Sequence, residues 1–487
     1  MKKKDIITFL IIFIATCIIF TPFITGHYST DTYNILNRGI ETYAITYNLN
    51  DGRIINCILL LLFNLLGIKV ETIVIILTVL AIFISCITIM IIKNIVISKK
   101  TPPNIWQETL ITLIIHTIIF NFAYLENMQY VECMVMSLSI LFYTLAAKKI
   151  VFDKKYIISA ILSIIATLCY QGTIGWFITA TLLFSLINEN KINKKLILNI
   201  AIAGILCILS VGVDLLQVKI TGKIFGMTQN RMGSLKNIFD NIDMIWYYIN
   251  HNIINTFYLF PKYLFLIFVS IILLINTSFK NNTNDSIINL VILVVVAIII
   301  NYVTNLFTLS AIGTARMCFS LGATIGLMLI YLYCNTEIFK SKTIIKKILV
   351  LVVILYFCIT DVNYVKIMLD HKKVNEISKQ ESLQIGEYLD EYEKENNIEL
   401  KNIVVVYDSN PQGFYKTKIK NNTSLCYRPL YTEWSHIGTI NYYNNRNLKL
   451  IENVKDEYTE YLHSQNWDTL NKEQFIFIDD TVYYCVY

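Results

Sequence analysis

The segment 6-IITFLIIFIATCIIFTPFIT-25, preceded by MKKKD, decides the fold class. A helix needs about 20 mostly apolar residues to cross the hydrocarbon of a bilayer, and this run reaches that length with no charge inside it. A cleaved signal peptide would have a shorter core followed by a small-residue site of the A-x-A kind. None follows, so the run reads as an uncleaved first span. The same test along the chain finds about eleven spans. They are residues 6–25, 73–97, 107–122, 131–147, 156–170, 173–188, 196–213, 262–277, 287–306, 317–335 and 346–361.

Composition agrees with lipid as the main solvent. Hydrophobic residues make up 55% of the 487 and charged residues only 16%, where soluble chains carry about a quarter charged. Mean hydropathy is +0.54. The net charge of +6 matters less than where the lysines fall. Eleven cysteines form no C-x-x-C pair and no metal-type spacing with histidine, so most read as small buried hydrophobes. Cys426 and Cys485 share the tail, and the sequence leaves open whether they pair.

With the amino terminus placed in the cytoplasm, alternate connections carry Lys2–Lys4, Lys93, Lys99, Lys100, Lys148, Lys149, Lys154, Lys155, Lys191, Lys194, Lys195, Lys280, Lys340, Lys342, Lys346 and Lys347. The opposite short loops, 123–130, 171–172 and 307–316, hold only Arg316. Lysine and arginine near span ends set orientation through the positive-inside rule. An odd number of spans then puts the tail outside. The expectation is a polytopic α-helical protein of the plasma membrane, with a transmembrane domain over 1–361 and a small extracytoplasmic α/β domain over 362–487.

Three regions on the expected outer face are long: 26–72, 214–261 and the tail. The stretch 54-IINCILLLLFNLLG-67 is too short to span and suits an interfacial helix. The tail opens with 374-VNEISKQESLQIGEYLDEYEKENN-397, where Ile377, Leu383, Ile385 and Leu389 mark an apolar helix face. Strand-like runs follow at 403-IVVVY-407, 475-FIFID-479 and 482-VYYCVY-487.

Ionisable groups near a membrane are costly and ask for a reason. On the outer face they include Asp31, Arg38, Glu41, Asp51, Arg53, Glu126, Glu132 and Arg316. Asp31, in 26-GHYSTDTYN-34, is placed to act as general base toward an alcohol; the alternative is a solvated or helix-capping aspartate. Arg53, in 48-NLNDGRIIN-56, matches phosphate oxygens bidentately, or else anchors to headgroups. Arg316, in 310-SAIGTARMCFSLG-322, runs against the charge bias that orients the chain, which makes it a functional candidate. Glu126 and the Tyr170-Gln171-Gly172 turn offer groups to a sugar. The loop 214–261, with Asp214, Lys219, Lys223, Arg231 and 246-WYYIN-250, fits either a polar acceptor or interfacial packing. No G-x-x-x-x-G-K-[ST], G-x-S-x-G, H-E-x-x-H or G-x-G-x-x-G ahead of a helix occurs, which argues against a nucleotide-driven pump or a nucleotide-sugar enzyme.

In this order the motifs resemble the GtrII-type membrane glucosyltransferases of the GT-C class: Asp31 after the first span, Gly52-Arg53 opening an amphipathic run, 121-NFAYLENMQYVECM-134, 168-LCYQGTIGWF-177, Ala315-Arg316, and a short α/β tail. The resemblance covers most of the chain through five short motifs. It implies an enzyme that moves a hexose from a polyprenyl-phosphate donor to a cell-surface glycan, with Asp31 as base and Arg53 and Arg316 on the donor phosphate. Glu126, Tyr170 and Gln171 would serve the substrate. Where paired acids are common in the class, this chain has Asp31 followed by Thr32, which weakens any case for a metal on an acidic pair. No cofactor and no nucleic-acid partner are expected. A transporter or flippase for a lipid-linked glycan shares the topology but usually shows internal repeats, which are not found here. A glycan polymerase or ligase also remains open.

Overall fold

A computed structural model describes residues 3–99, 104–189, 191–227, 237–255, 258–278, 284–307, 313–339, 344–408, 418–419, 425–451, 456–465 and 467–487. Lys2, Lys100, Arg231, Lys280, Lys340 and Lys342 lie outside the described residues. The rest is mostly helical, with a small mixed sheet near the carboxy terminus.

Where about eleven spans are expected, five helices among the described residues are long and apolar enough to cross a membrane: Val70–Ser98, Cys133–Asp153, Lys194–Phe225, Asp285–Val303 and Ile344–Asn396. Shorter apolar helices among the described residues include Ile54–Leu65, Ile105–Ile119, Tyr156–Cys169, Leu264–Ser278 and Phe319–Asn335. The chain is thus a multi-pass membrane protein by the length and composition of its helices. Helices are the natural answer to lipid, because each backbone N–H finds its partner within its own segment. Hydroxyl side chains follow the same economy: Thr78, Thr88 and Thr144 bond back to the carbonyls of Val74, Ile84 and Ile140 at 2.8, 3.1 and 2.8 Å.

Three differences from the sequence reading bear on the site. The first helix is Lys3–Ile19, and Pro22 starts a separate short helix, Thr21–Ile24, because proline has no N–H to continue the ladder. The helix expected to end at 213 continues to Phe225, so Asp214, Lys219 and Lys223 sit on a helix and not in a loop. Gly226, at φ 66°, ends it. The expected last span and the expected tail helix are one 53-residue helix, Ile344–Asn396, which runs through residues 361 and 362 without a break. On its tail half, Val374, Ile385 and Leu389 are buried, whereas Leu383 is exposed.

The tail sheet has the order β2-β1-β4-β3, with β1 Asn402–Tyr407, β2 Lys449–Leu450, β3 Phe475–Ile478 and β4 Thr481–Val486. β1 runs parallel to β2 and β4, pairing Val404 with Tyr483, and β3 runs antiparallel to β4, pairing Phe475 with Tyr484. Three of these strands lie where the β-type runs were read; β2 is too short to leave a pattern. Cys426 and Cys485 are both buried, and no disulfide joins them.

The Val70–Ser98 helix measures the distance between the two ends of the bundle. At its start, Glu71 accepts a hydrogen bond from the Tyr442 hydroxyl of the tail at 2.5 Å. Near its far end the fully buried Lys93 pairs with Glu108 at 2.8 Å and lies 3.9 Å from Asp5, and Lys4 also bonds Glu108. At ~1.5 Å of rise per residue, Glu71 and Lys93 are about 33 Å apart, close to the ~30 Å of a hydrocarbon core. The tail domain and the lysine-rich connections therefore occupy opposite ends.

Candidate functional site

At the tail-domain end, the loops between helices bring together groups that are far apart in sequence. Asp31 stands in the first turn of the Thr30–Arg38 helix, whose cap is Ser29. Ser29 and Thr32 form a reciprocal capping box, Thr32 N–H donating to Ser29 Oγ at 3.2 Å and Ser29 N–H to Thr32 Oγ1 at 3.1 Å. Asp31 is thereby relieved of capping and its carboxylate turns to other partners. The indole Nε1–H of Trp434 donates to Oδ1 at 3.0 Å. The buried hydroxyl of Tyr43 lies 3.4 Å from Oδ2 and 2.9 Å from Oε1 of Glu132. Glu132 is 1% exposed, and its second oxygen has no hydrogen-bond partner among the described residues. Burial, first, and then the neighbouring carboxylates of Asp31 and Glu132 hold the Tyr43 phenol well above its usual range, so it remains a proton donor between two acids.

Arg53 is delivered by a tight reversal. After the π-helical turn Ala44–Leu49, Gly52 adopts φ 81° and the Arg53 N–H bonds back to the Asn48 carbonyl at 2.8 Å. Only glycine fits here: a Cβ would stand 2.4 Å from Asp214 Oδ1 and 2.5 Å from Gln171 Nε2. Gln171 ties the turn down, donating from Nε2 to the Asp51 carbonyl at 2.8 Å and to both Asp214 oxygens at 3.1 Å. The Arg53 guanidinium lies over the Tyr170 ring, 5.2 Å from its centroid, and 3.5 Å from Asp51 Oδ2. Its Nε is buried without a hydrogen-bond partner among the described residues.

Arg316 follows Ala315 in a short 3-10 turn before the Phe319–Asn335 helix. Its N–H donates to Glu126 Oε2 at 2.9 Å, its guanidinium lies 3.8 Å from Oε1, and the same guanidinium covers the Tyr130 ring at 4.4 Å. Burial pushes the Glu126 carboxyl above its ordinary range, opposed by the Arg316 charge and by the N–H groups of Arg316 and Ala315. Arg316 also feels Tyr170 and Asp31, and Arg53 feels Glu132 and Arg316. One electrostatic neighbourhood thus holds Asp31, Arg53, Glu126, Glu132, Tyr170 and Arg316.

All six residues singled out by sequence as a site, Asp31, Arg53, Glu126, Tyr170, Gln171 and Arg316, lie at this end of the bundle. Gln171 spends its amide donors bracing the Arg53 turn, and Tyr170 supports the guanidinium. Tyr43 and Trp434 carried no sequence signal, since a tyrosine or tryptophan in a polar stretch is common. Asp214 was assigned to a loop, and Glu132, visible as an ionisable residue, was not distinguished from its neighbours. Among the described residues no group of three or more His, Cys, Asp or Glu is placed to hold a metal ion. Comparison with family models, with curated proteins and with solved structures finds no match to the chain.

Proposed function

We propose that the chain is a membrane glycosyltransferase that moves a hexose from a polyprenyl-phosphate donor to a cell-surface glycan on the outer face of the membrane. The observation that carries this reading is the convergence of a partly open carboxylate, Asp31, with two arginines, Arg53 and Arg316, at one end of a bundle of apolar helices. A lipid-linked phosphate reaches such a place through the bilayer, and a glycan reaches it from water. The motif resemblance to the GtrII-type enzymes supplies the substrate class, and the positive-inside distribution of lysine supplies the orientation.

In this reading the acceptor hydroxyl gives its proton to Asp31 as its oxygen bonds the anomeric carbon. The bond from that carbon to the phosphate oxygen breaks, and the polyprenyl phosphate leaves with the electron pair. Arg53 and Arg316 lie where charge grows on the leaving phosphate, and a preorganised cation is most effective at that point. The Tyr43 hydroxyl donates to Glu132 and lies 3.4 Å from Asp31, which places a neutral donor between the two carboxyl groups.

The test is transfer from radiolabelled polyprenyl-phosphate glucose to envelope polysaccharide by the purified full chain. Wild type should transfer, and Asp31→Asn should lose ~10²–10⁴-fold, the usual worth of a positioned base. Equal transfer by both proteins removes Asp31 from the mechanism. Labelled lipid crossing vesicles without sugar transfer replaces the enzyme by a flippase.

A further inference from the structure

Two aromatic side chains of the tail domain, one bonded to this cluster and one within its electrostatic reach, remain half open. Trp434 is 51% exposed although its indole N–H is bonded to Asp31. Tyr427 is 52% exposed and shares the electrostatic neighbourhood of Glu126, Arg316 and Tyr130. The segment between them is fixed from both sides. Arg428 is buried against Glu381 of the long helix and the carbonyl of Tyr487. Ser435 Oγ bonds the Pro429 carbonyl at 2.7 Å, and His436 N–H bonds the Thr432 carbonyl at 3.0 Å. The following helix, His436–Asn444, docks on the helix that carries Asp31. Gly438 permits this approach, because a Cβ there would stand 2.3 Å from the Tyr33 carbonyl oxygen, and Asn441 Nδ2 donates to Asn37 Oδ1 at 3.1 Å. The Tyr33 and Tyr443 hydroxyls meet at 2.9 Å.

We propose that Trp434 and Tyr427 form the acceptor platform of the enzyme, a pair of aromatic faces on which a pyranose ring of the acceptor glycan stacks with one hydroxyl directed to Asp31. The proposal rests on the glycosyltransferase reading for its reaction, but not for its binding claim. A pyranose has apolar C–H faces and a rim of hydroxyls, so it matches aromatic faces set beside carboxylates and guanidinium groups. An acyl chain matches the faces but not the charged groups beneath them. The indole bond also holds one oxygen of the Asp31 carboxylate, so the platform is tied directly to the base. The tail domain therefore supplies half of the active site and is more than a covering.

The test separates binding from chemistry. Envelope polysaccharide binding to the detergent-purified full chain is measured by saturation-transfer NMR and by retention on polysaccharide resin, for wild type, Trp434→Ala, Trp434→Phe and Tyr427→Ala. Trp434→Ala and Tyr427→Ala should each weaken binding ~10-fold, while Trp434→Phe, which keeps a ring and loses the N–H, should stay within ~3-fold of wild type. Thermal unfolding identifies any variant that has lost its fold, and the remaining two then carry the test. Unchanged binding in the folded alanine variants overturns the platform, whether or not sugar transfer occurs. So does wild-type protein that binds no polysaccharide, or alanine variants that lose phosphatidylglycerol-vesicle binding and keep polysaccharide binding. Polysaccharide binding that falls in the alanine variants, without sugar transfer by wild type, leaves the platform standing and ends the transferase reading.

Discussion

The backbone N–H of Arg316 donates to Oε2 of Glu126 at 2.9 Å while the guanidinium of the same residue stands 3.8 Å from Oε1. One residue thus engages both oxygens of a carboxylate that is 2% exposed. In Arg316→Ala the N–H donor is kept and the charge is lost.

A pH-dependent stability follows for Arg316→Ala. Burial raises the Glu126 carboxyl in the folded protein, so the folded state holds that proton more tightly than the unfolded chain, where glutamate titrates near ~4.3. Its contribution to stability is full below that pH and is lost as pH rises through the higher folded value. Removing the Arg316 charge should deepen the loss, by ~1–3 kcal/mol at neutral pH. Thermal midpoints measured from about pH 4 to pH 8 should fall more steeply in Arg316→Ala than in wild type, and Glu126→Gln in the same background should flatten the curve. Parallel curves for wild type and Arg316→Ala would remove the coupling.

Gly52→Ala should disturb the Arg53 turn. The added methyl meets Asp214 and Gln171 at 2.4 and 2.5 Å in a left-handed conformation, φ 81°. The strain costs ~1–3 kcal/mol. Transfer activity should fall with it, through a higher KM for the polyprenyl-phosphate donor. An alanine variant with wild-type KM and thermal midpoint would show that the turn does not set the Arg53 position.

Tyr43→Phe leaves the buried Glu132 without the hydroxyl now 2.9 Å away. An orphaned buried acceptor costs ~1–3 kcal/mol. Thermal unfolding should record that loss, and Tyr43→Phe combined with Glu132→Leu, which removes the acceptor, should lose less than the two single changes added together, because the pair shares one bond. Strict additivity contradicts the bridge.

Orientation is checked by phosphatase fusions. Because the long helix Ile344–Asn396 passes through residue 361 unbroken, a fusion placed after Tyr487 tests the tail domain itself. It should be active, with an inactive fusion after Lys99 at the other end of the bundle. The reverse pattern inverts the orientation and moves the proposed site to the cytoplasm.

Much of the helical framework could be read from apolar run length, because exclusion of water from backbone groups acts segment by segment. The breaks at Pro22 and Gly226 also have local causes. The fusion of the last apolar run with the tail helix was not legible, since the change from apolar to charged residues near 362 marks a change of surroundings and leaves the backbone helical. Asp214 was missed as a helical residue for the same reason: a charge in an apolar run looks like an end, yet its carboxylate is satisfied by Gln171 from another segment.

The sequence by itself determined that this chain is rich in apolar helices suited to a membrane, that its lysines favour one set of connections, and that a handful of charged residues stand apart from them. Those are properties of composition and spacing along the chain. Only the tertiary structure decided which of these residues meet. Tyr43 bridges Asp31 and Glu132, Gln171 joins the Arg53 turn to Asp214, and Trp434 reaches Asp31 across 403 positions of sequence. The reason is physical: apolar periodicity specifies that a helix is buried but not its neighbour, and a hydrogen bond between loops depends on where the packed helices leave their ends.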